Sequence, residues 1–135
     1  MTDSAAVPLD SNALVALAIS SHEHHVATSA WLDDARFATC PITEGALIRI
    51  VTQYPGGTAR RAAQYLREVT RSDRHEFWPD QLSYLDVPVG PVVGHRQVTD
   101  AYLAQLARSR ASKLATLDKV LAALHSDVAE LVPTS

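Results

Sequence analysis

Four times along this 135-residue chain a short apolar run gives way to a helical pattern, and each time a carboxylate stands at or just past the junction. The strings are Val7-Pro8-Leu9-Asp10-Ser11-Asn12, Cys40-Pro41-Ile42-Thr43-Glu44, Val98-Thr99-Asp100-Ala101 and Leu114-Ala115-Thr116-Leu117-Asp118. Short apolar runs alternating with helix-length amphipathic stretches predict an α/β fold with a mostly parallel central sheet flanked by helices. Parallel strands share one carboxyl edge, so Asp10, Glu44, Asp100 and Asp118 are expected to meet there although they are far apart in the chain. Gathered carboxylates raise one another's pKa unless a cation offsets the repulsion. A hard divalent ion with oxygen ligands is the natural partner.

The length suits one domain, residues 1–135 with a core over about 6–132, and is enough to bury one hydrophobic core. Hydrophobic residues make up 47% and charged residues 20%, which argues against disorder. The one cysteine, Cys40, has no partner for an internal disulfide and reads as a small apolar residue at a strand end. No apolar run reaches the roughly 20 residues that span a bilayer, and Met-Thr-Asp-Ser lacks the basic region of a signal peptide, so a cytoplasmic protein without a membrane partner is expected. A formal net charge of −3 excludes a surface that is basic throughout, while leaving room for a local basic patch.

Periodicity places strands near 6–9, 36–40, 76–78, 113–116 and 128–132. Helices are expected over 12–19, 22–35, 43–54, 58–71, 98–108 and 119–125, with a small one around 81–85. Pro55-Gly56-Gly57 is the clearest break. Any one of the four acids has an ordinary alternative, because unpaired amides and the helix dipole favour negative charge at a helix start by roughly 0.3–1 kcal/mol. Asp118 has the position of a simple N-cap, and Glu44 and Asp100 those of first-turn acids. Asp10 is different: it ends the first strand and precedes the polar pair Ser11-Asn12 and a largely apolar helix, deep in the expected fold.

Over about residues 6–132 the chain resembles the PIN-domain ribonucleases, in particular the toxin subunits of VapBC-type toxin–antitoxin pairs. The resemblance is carried, in order, by Leu9-Asp10-Ser11-Asn12-Ala13-Leu14-Val15-Ala16-Leu17, Pro41-Ile42-Thr43-Glu44, Thr99-Asp100-Ala101-Tyr102-Leu103-Ala104-Gln105-Leu106-Ala107 and Leu114-Ala115-Thr116-Leu117-Asp118. It implies a metal-dependent endoribonuclease in which the four acids hold one or two Mg²⁺ or Mn²⁺ ions. Asp10 and Asp100 would be the principal ligands, direct or through water, with Glu44 and Asp118 completing an acidic ring. Asn12 and Thr116 would support the carboxylates by hydrogen bonds, although Thr116 has an equal alternative in satisfying backbone groups at its strand end. It also implies a homodimer and a VapB-like antitoxin that places a basic side chain in the acidic pocket; apolar surface around Val15, Ile19 and Trp31 is a candidate groove for it, core packing being the stronger reading of these residues. Two features depart from the family pattern. Pro8 stands inside the first strand, where it lacks an amide, and Arg110-Ala111-Ser112 replaces a glycine-containing turn.

RNA must be held by its phosphates. Arg60, Arg67, Arg71 and Arg74 recur at helical spacing, Arg61 is adjacent, and Arg49 lies five residues beyond Glu44. These are candidate RNA contacts, a solvated helix face being the commoner meaning of such a row. His22, His24 and His25 lack zinc-protease spacing, and His75, His95 and His125 stand isolated. Two other readings fit the same acids: a different Mg²⁺-dependent phosphoryl-transfer domain, and a catalytically silent PIN-like binding module.

Overall fold

The computed structural model describes residues 6–134. Five strands and six helices alternate along it: β1 (Val7–Pro8), α1 (Ser11–Ala18), α2 (His25–Leu32), β2 (Phe37–Thr39), α3 (Pro41–Gln53), α4 (Ala59–Thr70), β3 (His75–Phe77), α5 (Gln97–Ser109), β4 (Leu114–Thr116), α6 (Lys119–Leu124) and β5 (Ala129–Leu131). β1, β2 and β3 form one parallel ladder in that order, and β4 and β5 form a second. A parallel bridge between Leu9 and Ala115 joins the two ladders, giving the spatial order 3-2-1-4-5. The chain reverses its direction of winding between β1 and β4, and that seam is where an open parallel sheet leaves a crevice at its carboxyl edge.

Pro8 explains why the sheet is divided. Val7 and Leu9 direct their amides to β2, donating to Arg36 and Ala38 carbonyls, so the alternate position faces β4. The missing amide of Pro8 therefore falls on the seam, where the next bond, Asp10 N–H to Ala115 O at 3.0 Å, resumes the pairing. The proline costs the sheet a bond at its weakest junction and leaves the β1–β2 ladder whole.

Strand side chains alternate between two cores, as the period of two requires. Leu9, Phe37 and Ala115 face one core with α1, α3 and α4, while Ala6, Ala38, Cys40 and Leu114 face the other, beside Tyr102, Leu103 and Leu106 of α5. α1 is buried at Ala13, Leu14, Val15 and Ala16, as its apolar sequence demands. Val15 and Ile19 are core residues, the stronger of their two readings from sequence; of that trio only Trp31 keeps partial exposure.

Three boundaries differ from expectation for local reasons. α2 starts at His25, because the His22 ring nitrogen accepts the His24 amide and stabilises a turn first. α3 starts at Pro41, since proline is pre-organised for a first helical position and Thr43 Oγ1 accepts the Cys40 amide at 3.1 Å. The helix expected at 81–85 is a single 3-10 turn at Tyr84–Asp86, begun by Ser83 Oγ on the Leu85 amide. Between α3 and α4 the turn uses glycine twice: Gly56 has φ +76°, and a Cβ at Gly57 would lie 1.8 Å from the Val51 carbonyl oxygen.

The turn without glycine has an unusual solution. α5 ends with Ser112 N–H on Ala107 O at 2.9 Å and Ala111 N–H on Arg108 O at 3.1 Å, the two bonds of a Schellman motif. Its left-handed residue is Ala111 at φ +52°, a conformation disfavoured by its Cβ. Ala111→Gly is expected to gain about 0.5–1 kcal/mol, the relief of this strain exceeding glycine's entropy in the unfolded chain. Chemical denaturation at unchanged m-value measures it, and equal or lower stability would contradict this account of the turn.

Candidate active site

Asp10 leaves the carboxyl end of β1 in extended conformation and caps α1, its Oδ1 accepting the Ala13 amide at 2.8 Å. Its Oδ2 accepts the hydroxyl of Thr116, which comes from the end of β4 across the seam. Thr116 Oγ1 in turn accepts the Asp118 amide at 2.9 Å. Thr116 thus fills both of its expected roles, supporting a carboxylate and satisfying the backbone. Asp118 caps α6 through Oδ1, which accepts from Val120 at 2.8 Å and Leu121 at 3.2 Å. Asp100 stands in the first turn of α5, half-buried, with no side-chain hydrogen bond among the described residues.

These three aspartates feel one another. Asp10 is only 4% exposed, and burial pushes its carboxyl up to about 6; the Thr116 and Ala13 bonds oppose the rise, while Asp100 and Asp118 add to it. Asp100 is also pushed up to about 6, first by burial and then by the Asp118 charge. Among the described residues no lysine, arginine or histidine forms an ion pair with any of the three. Asp10 and Asp100 are thus carboxylates partly withdrawn from water and, among the described residues, without an ion-pair partner.

Glu44 is held from a different strand. It lies in the first turn of α3, and its Oε2 accepts the Thr39 hydroxyl at 2.8 Å. It enters from α3, which follows β2, the neighbour of β1 on the side away from β4. Asn12 is exposed on α1, and among the described residues it hydrogen-bonds to none of the four acids. The Ala13 amide and Thr116 hold Asp10 instead.

Among the described residues no three His, Cys, Asp or Glu side chains close into a ready metal cage. The donors nevertheless suit a hard cation. All are carboxylate oxygens, and Asp10 and Asp100 pay an electrostatic penalty that a cation would lift. Mg²⁺ keeps several waters and takes one or two protein carboxylates, so an open cluster of this kind fits it better than a closed cage would.

The arginines divide into two groups. Arg49, Arg60, Arg67 and Arg71 are exposed, and none forms an ion pair among the described residues. Arg74, taken from sequence as part of the same row, lies beyond α4 and is structural. It donates to the Asp33 and Ala35 carbonyls at 2.7 and 2.9 Å and covers the Phe37 ring. Sequence reasoning missed Thr39 and His75, which sit beside Glu44. The β2–β3 register brings them together, and neither residue carries a local motif that would have signalled it.

A family model for the PIN domain matches residues 7–126. Ribonuclease VapC29 of Mycobacterium tuberculosis is 54% identical over 131 residues, covering 96% of this chain and 98% of that protein. Ribonuclease VapC38 of the same organism is 42% identical over 120 residues, covering 82% of this chain and 83% of that protein. Ribonuclease VapC39, also from that organism, is 37% identical over 125 residues, with coverages of 84% and 89%. Similarity of this extent leaves one assignment: the chain belongs to the PIN-domain family, in its VapC type.

Proposed function

We propose that this protein is a divalent-metal-dependent endoribonuclease and the toxin of a type II toxin–antitoxin pair. The observation that carries the reading is the meeting of Asp10, Asp100 and Asp118 near the seam, two of them pushed up to about 6 with no ion-pair partner among the described residues. Relatives named as ribonucleases support RNA as the substrate.

Asp10 and Asp100 would hold Mg²⁺ or Mn²⁺, directly or through water, with Asp118 and Glu44 at the margin. Such a cation supplies charge against the phosphodiester's transition state and acidifies a water molecule. The chain's own part is positioning. Thr116 and the Ala13 amide fix Asp10, so that its carboxylate cannot turn away from the crevice. Asp118 commits Oδ1 to capping α6 and keeps Oδ2 for the site. Arg49, Arg60, Arg67 and Arg71 are the cations available to RNA phosphates, and contacts of that kind weaken steeply with salt. A VapB-like antitoxin with a basic side chain would compete for the same anionic pocket. A homodimer and a cytoplasmic setting belong to the same reading; among the described residues no helix is long and apolar enough to cross a membrane.

The decisive test is incubation of antitoxin-free protein with total cellular RNA and Mg²⁺, Mn²⁺ or EDTA, followed by mapping of the cut ends. Discrete metal-dependent cuts are expected. A folded protein that cleaves no RNA class under any of these conditions would favour the silent binding module. Asp100→Asn is expected to abolish cleavage while raising the metal-free Tm at pH 7.5 by about 3–5 °C. That corresponds to roughly 1 kcal/mol once the solvent exposure of Asp100 is discounted. An active variant, or one that melts lower, would count against Asp100 as a strained ligand.

The pH dependence has a definite sign. The ordinary value for Asp10 and Asp100 is 3.8 and the folded value about 6, so between pH 4 and 6 the metal-free fold keeps protons that the unfolded chain has lost. Stability from these groups falls as pH rises through that window and stays low above it. Asp127, held at about 2 by Arg108, contributes with the opposite sign at lower pH. The difference between wild type and Asp100→Asn therefore isolates the effect. Melting with EDTA should show the variant's advantage growing from pH 4 to 7, and millimolar Mn²⁺ should stabilise wild type at pH 7.5 but not at pH 4.5.

A further inference from the structure

Beside the three-aspartate cluster runs a second chain of contacts. Thr39, at the carboxyl end of β2 and 2% exposed, places Oγ1 at 2.8 Å from Glu44 Oε2 and at 2.8 Å from His75 Nε2. A hydroxyl has one proton to give, and a carboxylate oxygen only accepts. Thr39 must therefore donate to Glu44 and accept from His75, which fixes the imidazole as the form protonated at Nε2. The order of donation is His75 to Thr39 to Glu44.

Each link is held by something rigid. The β-branched Thr39 has few rotamers, and its backbone is paired with β3, Thr39 lying opposite Phe77 and its carbonyl accepting the Trp78 amide at 2.8 Å. The His75 ring packs against Phe37, their centroids 5.5 Å apart at 53°, and Phe37 is 1% exposed. Glu44, by contrast, has a long side chain on the half-exposed first turn of α3, and its carboxylate has no other hydrogen-bond partner among the described residues. Without Thr39 nothing in the described structure aims it.

We infer that Thr39 and His75 are positioning residues that aim the Glu44 carboxylate at the metal and RNA site from β2 and β3. This rests on the metal-nuclease reading, since it assigns Glu44 a task there. It also gives His75, isolated in the sequence, a role that only the β2–β3 register creates.

The test uses the full chain with Mn²⁺ alone as probe, and RNA with Mg²⁺ for turnover. The variants are Thr39→Val, Thr39→Ser, His75→Ala, His75→Gln, the Thr39→Val/His75→Ala double, and Glu44→Gln as reference, each checked by melting. Thr39→Val and His75→Ala are expected to lose about 10–100-fold in Mn²⁺ affinity or kcat with KM nearly unchanged. Thr39→Ser keeps the hydroxyl and His75→Gln keeps an N–H donor, so both should recover most of the loss. The double variant should be no worse than Thr39→Val, because the links act in series. Long-range ¹H–¹⁵N NMR at pH 8 should find His75 protonated at Nε2. A His75 protonated only at Nδ1 would overturn the proposal, as would a folded Thr39→Val protein with wild-type Mn²⁺ affinity and rate, or losses that add in the double variant. If wild type cleaves no RNA, the nuclease reading fails by itself. The tautomer and the Mn²⁺ affinities of the variants then still decide whether Glu44 is aimed by this chain.

Discussion

Everything at the site hangs on the bonds that Asp10 makes across the β1–β4 seam. Its amide donates to Ala115 and its carboxylate accepts the Thr116 hydroxyl, so one residue joins two ladders that Pro8 has partly unzipped. A buried carboxylate is a costly fastener. Its charge is desolvated, and the hydrogen bonds it accepts offset only part of that cost. In return the fold obtains a carboxylate whose direction is set from three sides, by its own strand, by the first turn of α1 and by Thr116. Asp118 is tied into the same unit through its amide on Thr116 Oγ1, so two of the three acids share one threonine.

Asp100 joins the cluster differently. It comes from the start of α5, and it accepts no hydrogen bond among the described residues, so nothing local compensates for its proximity to Asp118. This is a site built at the expense of stability. The fold tolerates it because two well-packed cores lie on either face of the sheet, with Leu14, Leu47, Leu106 and Leu114 all fully buried. A cation would turn the repulsion into attraction, which is the physical link between the folding energetics and the proposed chemistry. Glu44 is held by a hydroxyl that draws its own orientation from β2 and β3.

How much of this could be read from the chain depends on the range of each interaction. Helix and strand identity came through almost complete, because it follows from local periodicity and from caps such as Thr58 on Arg61 N–H and Asp118 on Val120 N–H. The errors were also local. The His22–His24 turn delayed α2, and Ser83 closed a 3-10 turn where a helix was expected. Arg74 had the spacing of its neighbours but falls past the end of α4, where backbone carbonyls claim it.

By itself the sequence determined the α/β alternation, the four junction acids and the problem posed by Pro8, because each of these is written in adjacent residues. Only the tertiary structure decided that Pro8's missing amide falls on the seam, that Thr116 links Asp10 to Asp118, that Asn12 faces solvent, and that His75 reaches Glu44 through Thr39. Those outcomes depend on strand order and register. These are set by which apolar faces pack together across the whole chain, and no window of neighbouring residues contains that information.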